Sequence, residues 1–184
     1  MINVLAIFLG IAGGLATGGS LQGLQQVQRL RWIWVVLVAL AVRLITVLTP
    51  LRSVEGVQYV YAAVFVLLVA WIVLNITRLS GLWIIALGAA LNLVVILANG
   101  GRMPVASSVA PVRPGVAVYT AMTSSTHLNW LGDWIGLPVI SPGSPLWGAY
   151  SPGDLVLGAG ILVTAFMLTR PQQRPAETAG RIVS

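Results

Sequence analysis

Residues 81–98, GLWIIALGAALNLVVILA, run for a full helix without one charged side chain. About 18 apolar residues is what a hydrocarbon core of ~30 Å asks of a crossing helix. Inside such a core, every backbone N–H and C=O must be satisfied within the segment itself. Four further apolar stretches repeat the message, at about 2–18, 32–49, 57–76 and 154–169. Of the 184 residues only 8% are charged, against about a quarter in a soluble domain. The expectation is an all-α integral membrane protein. One bundle of five transmembrane helices occupies 1–170, a long outer segment at 99–153 caps it between the fourth and fifth helices, and a flexible cytoplasmic tail follows at 171–184.

Ten arginines and no lysine stand against four acids, a net charge of +6. The arginines are scattered singly between apolar segments, which argues for membrane orientation and against nucleic acid as a partner. With the amino-terminus outside, cytoplasmic segments hold Arg29, Arg31, Arg78, Arg170, Arg174 and Arg181, while outer ones hold Arg52, Arg102 and Arg113. The positive-inside rule then favours N-out, C-in. Trp32, Trp34, Trp71 and Trp83 fall near the inner interface and Tyr59 and Tyr61 near the outer one, where amphipathic rings settle. The opening MINVLAIFLG has neither the basic flank nor the cleavage pattern of a signal peptide and reads as a retained span. Asn75-Ile76-Thr77 matches a glycosylation acceptor but falls at the cytoplasmic end of a span.

The chain has no cysteine and one histidine, His127. That removes disulfides, thiolate metal sites and iron–sulfur clusters, and it leaves no ligands for haem. No metal or cofactor is expected. The costly polar groups gather instead by depth. Counting inward at ~1.5 Å per residue, Arg43 and Asn92 reach nearly the same level below the outer surface. Asn92 and Asn99, seven apart, share a helix face. With Arg102 they form a candidate ligand-binding or structural polar cluster, joined by Asp133 and Asp154 at the outer boundary. The inner leaflet looks nearly clean. Arg43 either snorkels to the outer headgroups or pairs with a carboxylate, Asp154 being the preferred partner.

Asp154 has two readings. In Ser151-Pro152-Gly153-Asp154 the serine takes a helix N-cap, proline the first helical position and the aspartate the third, a capping-box arrangement. Alternatively Asp133 and Asp154 form a catalytic pair that shares one proton, one serving as base to a water while the other polarises a carbonyl. In the first span Gly10, Gly14 and Gly18 make a small-residue ridge that suits close helix packing, within the bundle or across a homodimer. The outer segment carries seven prolines and the aromatics Trp130, Trp134, Trp147 and Tyr150. It is expected to lie on the membrane surface, with room for a short interfacial or re-entrant helix at 116–135.

The ordered motifs NGGRMPV (99–105), LGDWIGLP (131–138) and YSPGDLVLGAGI (150–161) resemble a bacterial family of small membrane proteins known only as domain of unknown function 5317. That resemblance implies a multi-pass protein of the bacterial inner membrane and no particular activity. A more distant resemblance is to the lipoprotein signal peptidases. It implies Asp133 as a first catalytic aspartate and Asp154 as a second, opening the last helix; here Trp134 follows Asp133 where the family has arginine after a comparable aspartate. Two functions are weighed. One is a non-catalytic bundle that binds membrane lipid or an apolar ligand, or serves as an accessory subunit to other membrane proteins. The other is an intramembrane aspartyl hydrolase at the outer leaflet. A transporter needs an internal repeat, and none is visible.

Overall fold

The computed structural model describes residues 2–110, 116–136 and 148–171. Five α-helices occupy the five apolar stretches: α1 Ile2–Ala16, α2 Trp34–Leu48, α3 Val57–Asn75, α4 Leu82–Ala98 and α5 Pro152–Thr169. Two of them, α3 and α5, are long and apolar enough to cross a membrane, and α1, α4 and most of α2 are shorter apolar helices. Large apolar side chains face outward along them, Phe8 at 66% exposure, Leu37 at 63% and Leu74 at 62%. The tail from 172 lies outside the described residues.

Side-by-side contact runs α1–α5–α4–α3–α2, so the last helix inserts between the first and the fourth. Small residues decide this. A Cβ on Gly10 would meet the Leu162 carbonyl and Ala165, and one on Gly14 would fall on Thr169. On the other flank of α5, Gly88 lies against the Leu157 backbone and Gly160 against Ile85. Helices in lipid associate through such close van der Waals approach rather than through apolar burial. Rising numbers on α1 meet rising numbers on α5, so the two run parallel, whereas α4 and α5 run opposite. Gly18 does not belong to the ridge, contrary to the expectation. It lies past the end of α1 at φ +84° with nothing around it. A left-handed residue stops the helix one turn early, and Gly19 makes the third contact, on the Thr169 backbone.

The chain leaves α1 through a 3-10 helix, Leu21–Arg29, that passes under the end of α5 before α2 begins. This end of the bundle gathers Arg29, Arg31, Arg78 and Arg170 and is called here the arginine end. At the opposite end the segment after α4 forms the cap. Strand β1, Met103–Val105, pairs in parallel with β2, Tyr119–Ala121, and β3, Ile135–Gly136, pairs antiparallel with β4, Ala149–Tyr150. Met103, Leu131, Val95, Ile96 and Ala62 seal cap to bundle in one buried cluster.

Residues 116–135, where the sequence left room for a short interfacial or re-entrant helix, form none. Those residues hold β2, a 3-10 turn at Asn129–Leu131 and the start of β3. Their backbone groups find partners in β1 instead: Met122 N donates to the Val105 carbonyl at 2.9 Å, and the Val118 carbonyl accepts from Met103 N at 2.9 Å. Just after β2 the Thr123 and Thr126 hydroxyls accept from nearby backbone N–H groups, the local competition that disfavours a helix.

Candidate functional site

Helix α5 starts at the cap with Ser151 as N-cap and Pro152 in the first turn. The Asp154 amide donates to Ser151 Oγ at 2.9 Å, and the Ser151 amide reaches back to Asp154 Oδ2 at 3.4 Å. These are the two reciprocal bonds of a capping box. From α4, Asn92 closes the figure. Its Nδ2 donates to Asp154 Oδ1 at 2.8 Å, and its Oδ1 accepts from the Ser151 hydroxyl at 2.7 Å. Ser151 and Asn92 are buried, so each such bond replaces water that is no longer there. Gly153 makes room: a Cβ there would fall on Asn92 Oδ1. The result is a clasp of three side chains joining α4 to the first turn of α5, with both oxygens of the Asp154 carboxylate engaged.

Asp133 sits beside the clasp on an independent support. Its amide donates to the Pro104 carbonyl at 2.8 Å, its own carbonyl accepts from Ala106 N at 2.9 Å, and it bridges to Val105. The side chain is 8% exposed, and Oδ1 has no hydrogen-bond partner among the described residues. Burial, and then the negative charge of Asp154, push its pKa from 3.8 up to about 8. At neutral pH Asp133 therefore keeps its proton.

The remaining polar residues do not converge on that pair. Asn99 faces the cap loop, where Nδ2 donates to the Val95 and His127 carbonyls and Oδ1 accepts from the His127 amide, all at 2.8 Å. The seven-residue spacing from Asn92 does not place them on one face, because Asn99 has left the helix at φ −111°. Arg102 makes no side-chain hydrogen bond or ion pair among the described residues. Arg43 does not pair with Asp154; its guanidinium lies 5.7 Å from the centroid of the Tyr61 ring, within cation–π range. The reason is topological: α2 packs on α3, two helices removed from α5.

Several buried polar groups escaped the sequence reading, among them Gln58, Asn75 and Thr169. Asn75 at the arginine end is fully buried. Its Oδ1 accepts from the Arg31 amide at 2.8 Å, its Nδ2 donates to the Trp71 carbonyl at 2.9 Å, and Trp71 Nε1 donates to the Arg31 carbonyl at 2.7 Å. That end is thus not free of polar groups, and the buried amide is no glycan acceptor. An asparagine in a last helical turn with a tryptophan four residues before it was the available signal. Among the described residues no three histidine, aspartate or glutamate side chains group as a metal site requires.

The model of a family of unknown function, DUF5317, matches residues 28–166. No curated protein and no solved structure matches the chain, so the resemblance to lipoprotein signal peptidases finds no support.

Proposed function

The chain belongs to the DUF5317 family, which brings no activity with it, and from that premise we propose a non-catalytic membrane bundle. It crosses a bacterial inner membrane five times, N-out and C-in, and binds membrane lipid or serves as a subunit of a larger assembly. The observation that carries the non-catalytic reading is the clasp. Asp154 bonds Asn92 through one oxygen and the Ser151 amide through the other, so a structural role in capping α5 and joining it to α4 accounts for it without a reaction. The gathering of Arg29, Arg31, Arg78 and Arg170 at one end supports the orientation, because cytoplasmic segments collect arginine.

The cysteine-free sequence makes the test direct. Single cysteines at the exposed Ser53 and Ser125 should label with an impermeant thiol reagent from outside, and those at Ser20 and Ser80 only after permeabilisation. The reverse pattern, or release of the protein from membranes by alkaline carbonate, would overturn the topology.

A second reading has one observation in its favour. Asp133 is buried, lacks a partner on Oδ1 and holds a proton near neutrality, as the acid half of an aspartyl hydrolase does. Under that reading, the Asp133→Asn, Asp154→Asn double variant retains an uncleaved substrate. Under the non-catalytic reading, it loses stability and traps nothing.

A further inference from the structure

At the arginine end a cavity of about 750 Å³ opens between the 3-10 helix Leu21–Arg29 and the last residues of α5. The size falls in the ~300–1,000 Å³ range of small-molecule sites. Its shape follows from the three-residue period of a 3-10 helix, which stacks every third side chain in one row. Leu24, Val27 and Leu30 form the inward row, packed on Leu79, Leu82 and Leu168. Gln22, Gln25 and Gln28 form a second row, and Gln26 and Arg29 stand in the third; both line the cavity. The opposite wall is Arg170 with the backbone of 18–20, held in place by the Ser20 amide donating to the Thr169 carbonyl at 2.9 Å.

Among the described residues no acid lines this space. Among the described residues, neither the two guanidiniums nor the glutamine side chains have a hydrogen-bond or ion-pair partner. Arg29 anchors the segment through its backbone carbonyl, which accepts from Arg78 at 3.0 Å, and so its side chain is left for something else. Two unpaired guanidiniums match the oxygens of a phosphate, which they grip by paired N–H bonds. Carboxamides match hydroxyls, because they both donate and accept.

We infer that this cavity binds the phosphodiester headgroup of an anionic, hydroxyl-bearing phospholipid such as phosphatidylglycerol, in the leaflet at the arginine end. The inference rests on the membrane reading above, which sets the cavity at headgroup level. Basic pockets between membrane helices on the cytoplasmic side are suited to such headgroups. The exposed Leu15 and Leu21 at the same end leave apolar surface for the acyl chains.

The test uses the full chain in detergent micelles, with bound lipid read by native mass spectrometry during titration with phosphatidylglycerol or phosphatidylcholine. The wild type should retain phosphatidylglycerol in preference to phosphatidylcholine. The Arg29→Gln, Arg170→Gln double variant should bind phosphatidylglycerol about tenfold more weakly or worse, a loss of one or both paired contacts. The cap-end control Arg52→Gln, Arg102→Gln should bind as the wild type does. Equal binding by both double variants overturns the proposal. Displacement of the lipid by inorganic phosphate or glycerol 3-phosphate at similar concentration overturns the lipid assignment in favour of a soluble phosphate. If R29Q/R170Q misfolds, R29K/R170K keeps the charge and removes the fork, and undiminished binding by it overturns the guanidinium grip. Failure here, with thiol labelling still giving five spans, removes the site alone; carbonate extraction of the protein removes the membrane reading itself.

Discussion

At the cap end, Asn92, Ser151 and Asp154 satisfy one another, and a neutral Asp133 lies buried beside them. At the arginine end, Arg29 and Arg170 face an open cavity with no partner among the described residues. Both ends hold ionisable groups next to apolar helices, yet only the first is closed. Burial explains the contrast. A carboxylate enclosed by protein must be hydrogen-bonded or neutral, and the cap end shows one of each. Guanidiniums on an exposed rim keep their hydration, so nothing in folding requires them to be paired. A closed polar set is explained by stability, and an open one needs another explanation.

The largest expected effect separates the ends by pH. Asp133 has its folded pKa raised above the unfolded value of 3.8 to about 8. The folded state therefore binds more protons across that window. Its contribution is fully present below about pH 4 and is lost as pH rises through 8, on the order of 1 kcal/mol per pH unit. Thermal unfolding in detergent should show Tm falling from acid to mildly alkaline pH, with Asp133→Asn flattening the slope. A slope that survives this substitution would locate the titrating group elsewhere.

Next in size is the seam that positions the clasp. Gly88→Ala puts a methyl against the Leu157 backbone and the Gly153 carbonyl, neither of which can rotate away. Overpacking of this kind costs about 3 kcal/mol. Loss of monodisperse protein on size exclusion would show it. Gly100→Ser is no clean control at its φ of +64°, but Gly148→Ala, with nothing among the described residues within 4 Å of the added methyl, should be silent.

Removing one member of each buried polar set comes third. Asn92→Leu leaves Asp154 Oδ1 and the Ser151 hydroxyl without their partner. Asn75→Leu leaves the Arg31 amide without its acceptor. Each should cost about 2 kcal/mol, with Asn92→Leu the worse because one of its bonds is to a charged group. Equal losses in chemical denaturation would mean that the clasp is no stronger than an ordinary buried amide.

These two asparagines also show what the sequence made legible. The five helices were visible because an apolar run of helical length with at most one charge has few other folds open to it. The capping box at Ser151–Asp154 was visible because cap, proline and acid are local signals. Asn92 as the third member was not, because it depends on α5 inserting between α1 and α4, and no local pattern encodes that order. The same order misled the pairing of Arg43, whose helix lies three places from α5. The cap strands were hidden by length: three-residue β1 and β2 are too short to show alternation. The 3-10 helix was within reach, since Leu21, Leu24, Val27 and Leu30 recur every third residue, a period that fits three residues per turn better than 3.6.

The smallest expected effect is the one that sharpens the contrast most. Arg29→Gln and Arg170→Gln touch exposed side chains that bond nothing among the described residues, and Arg29 keeps its backbone bond from Arg78 in the variant. Surface substitutions of this kind usually stay within about 0.5 kcal/mol. Delipidated protein should therefore show the wild-type Tm, while the shift in Tm on adding phosphatidylglycerol should shrink, because a ligand that binds only the folded state stabilises it by mass action. A lower Tm without lipid would mean that the guanidiniums hold the fold together, and the arginine end would then be as closed as the cap end.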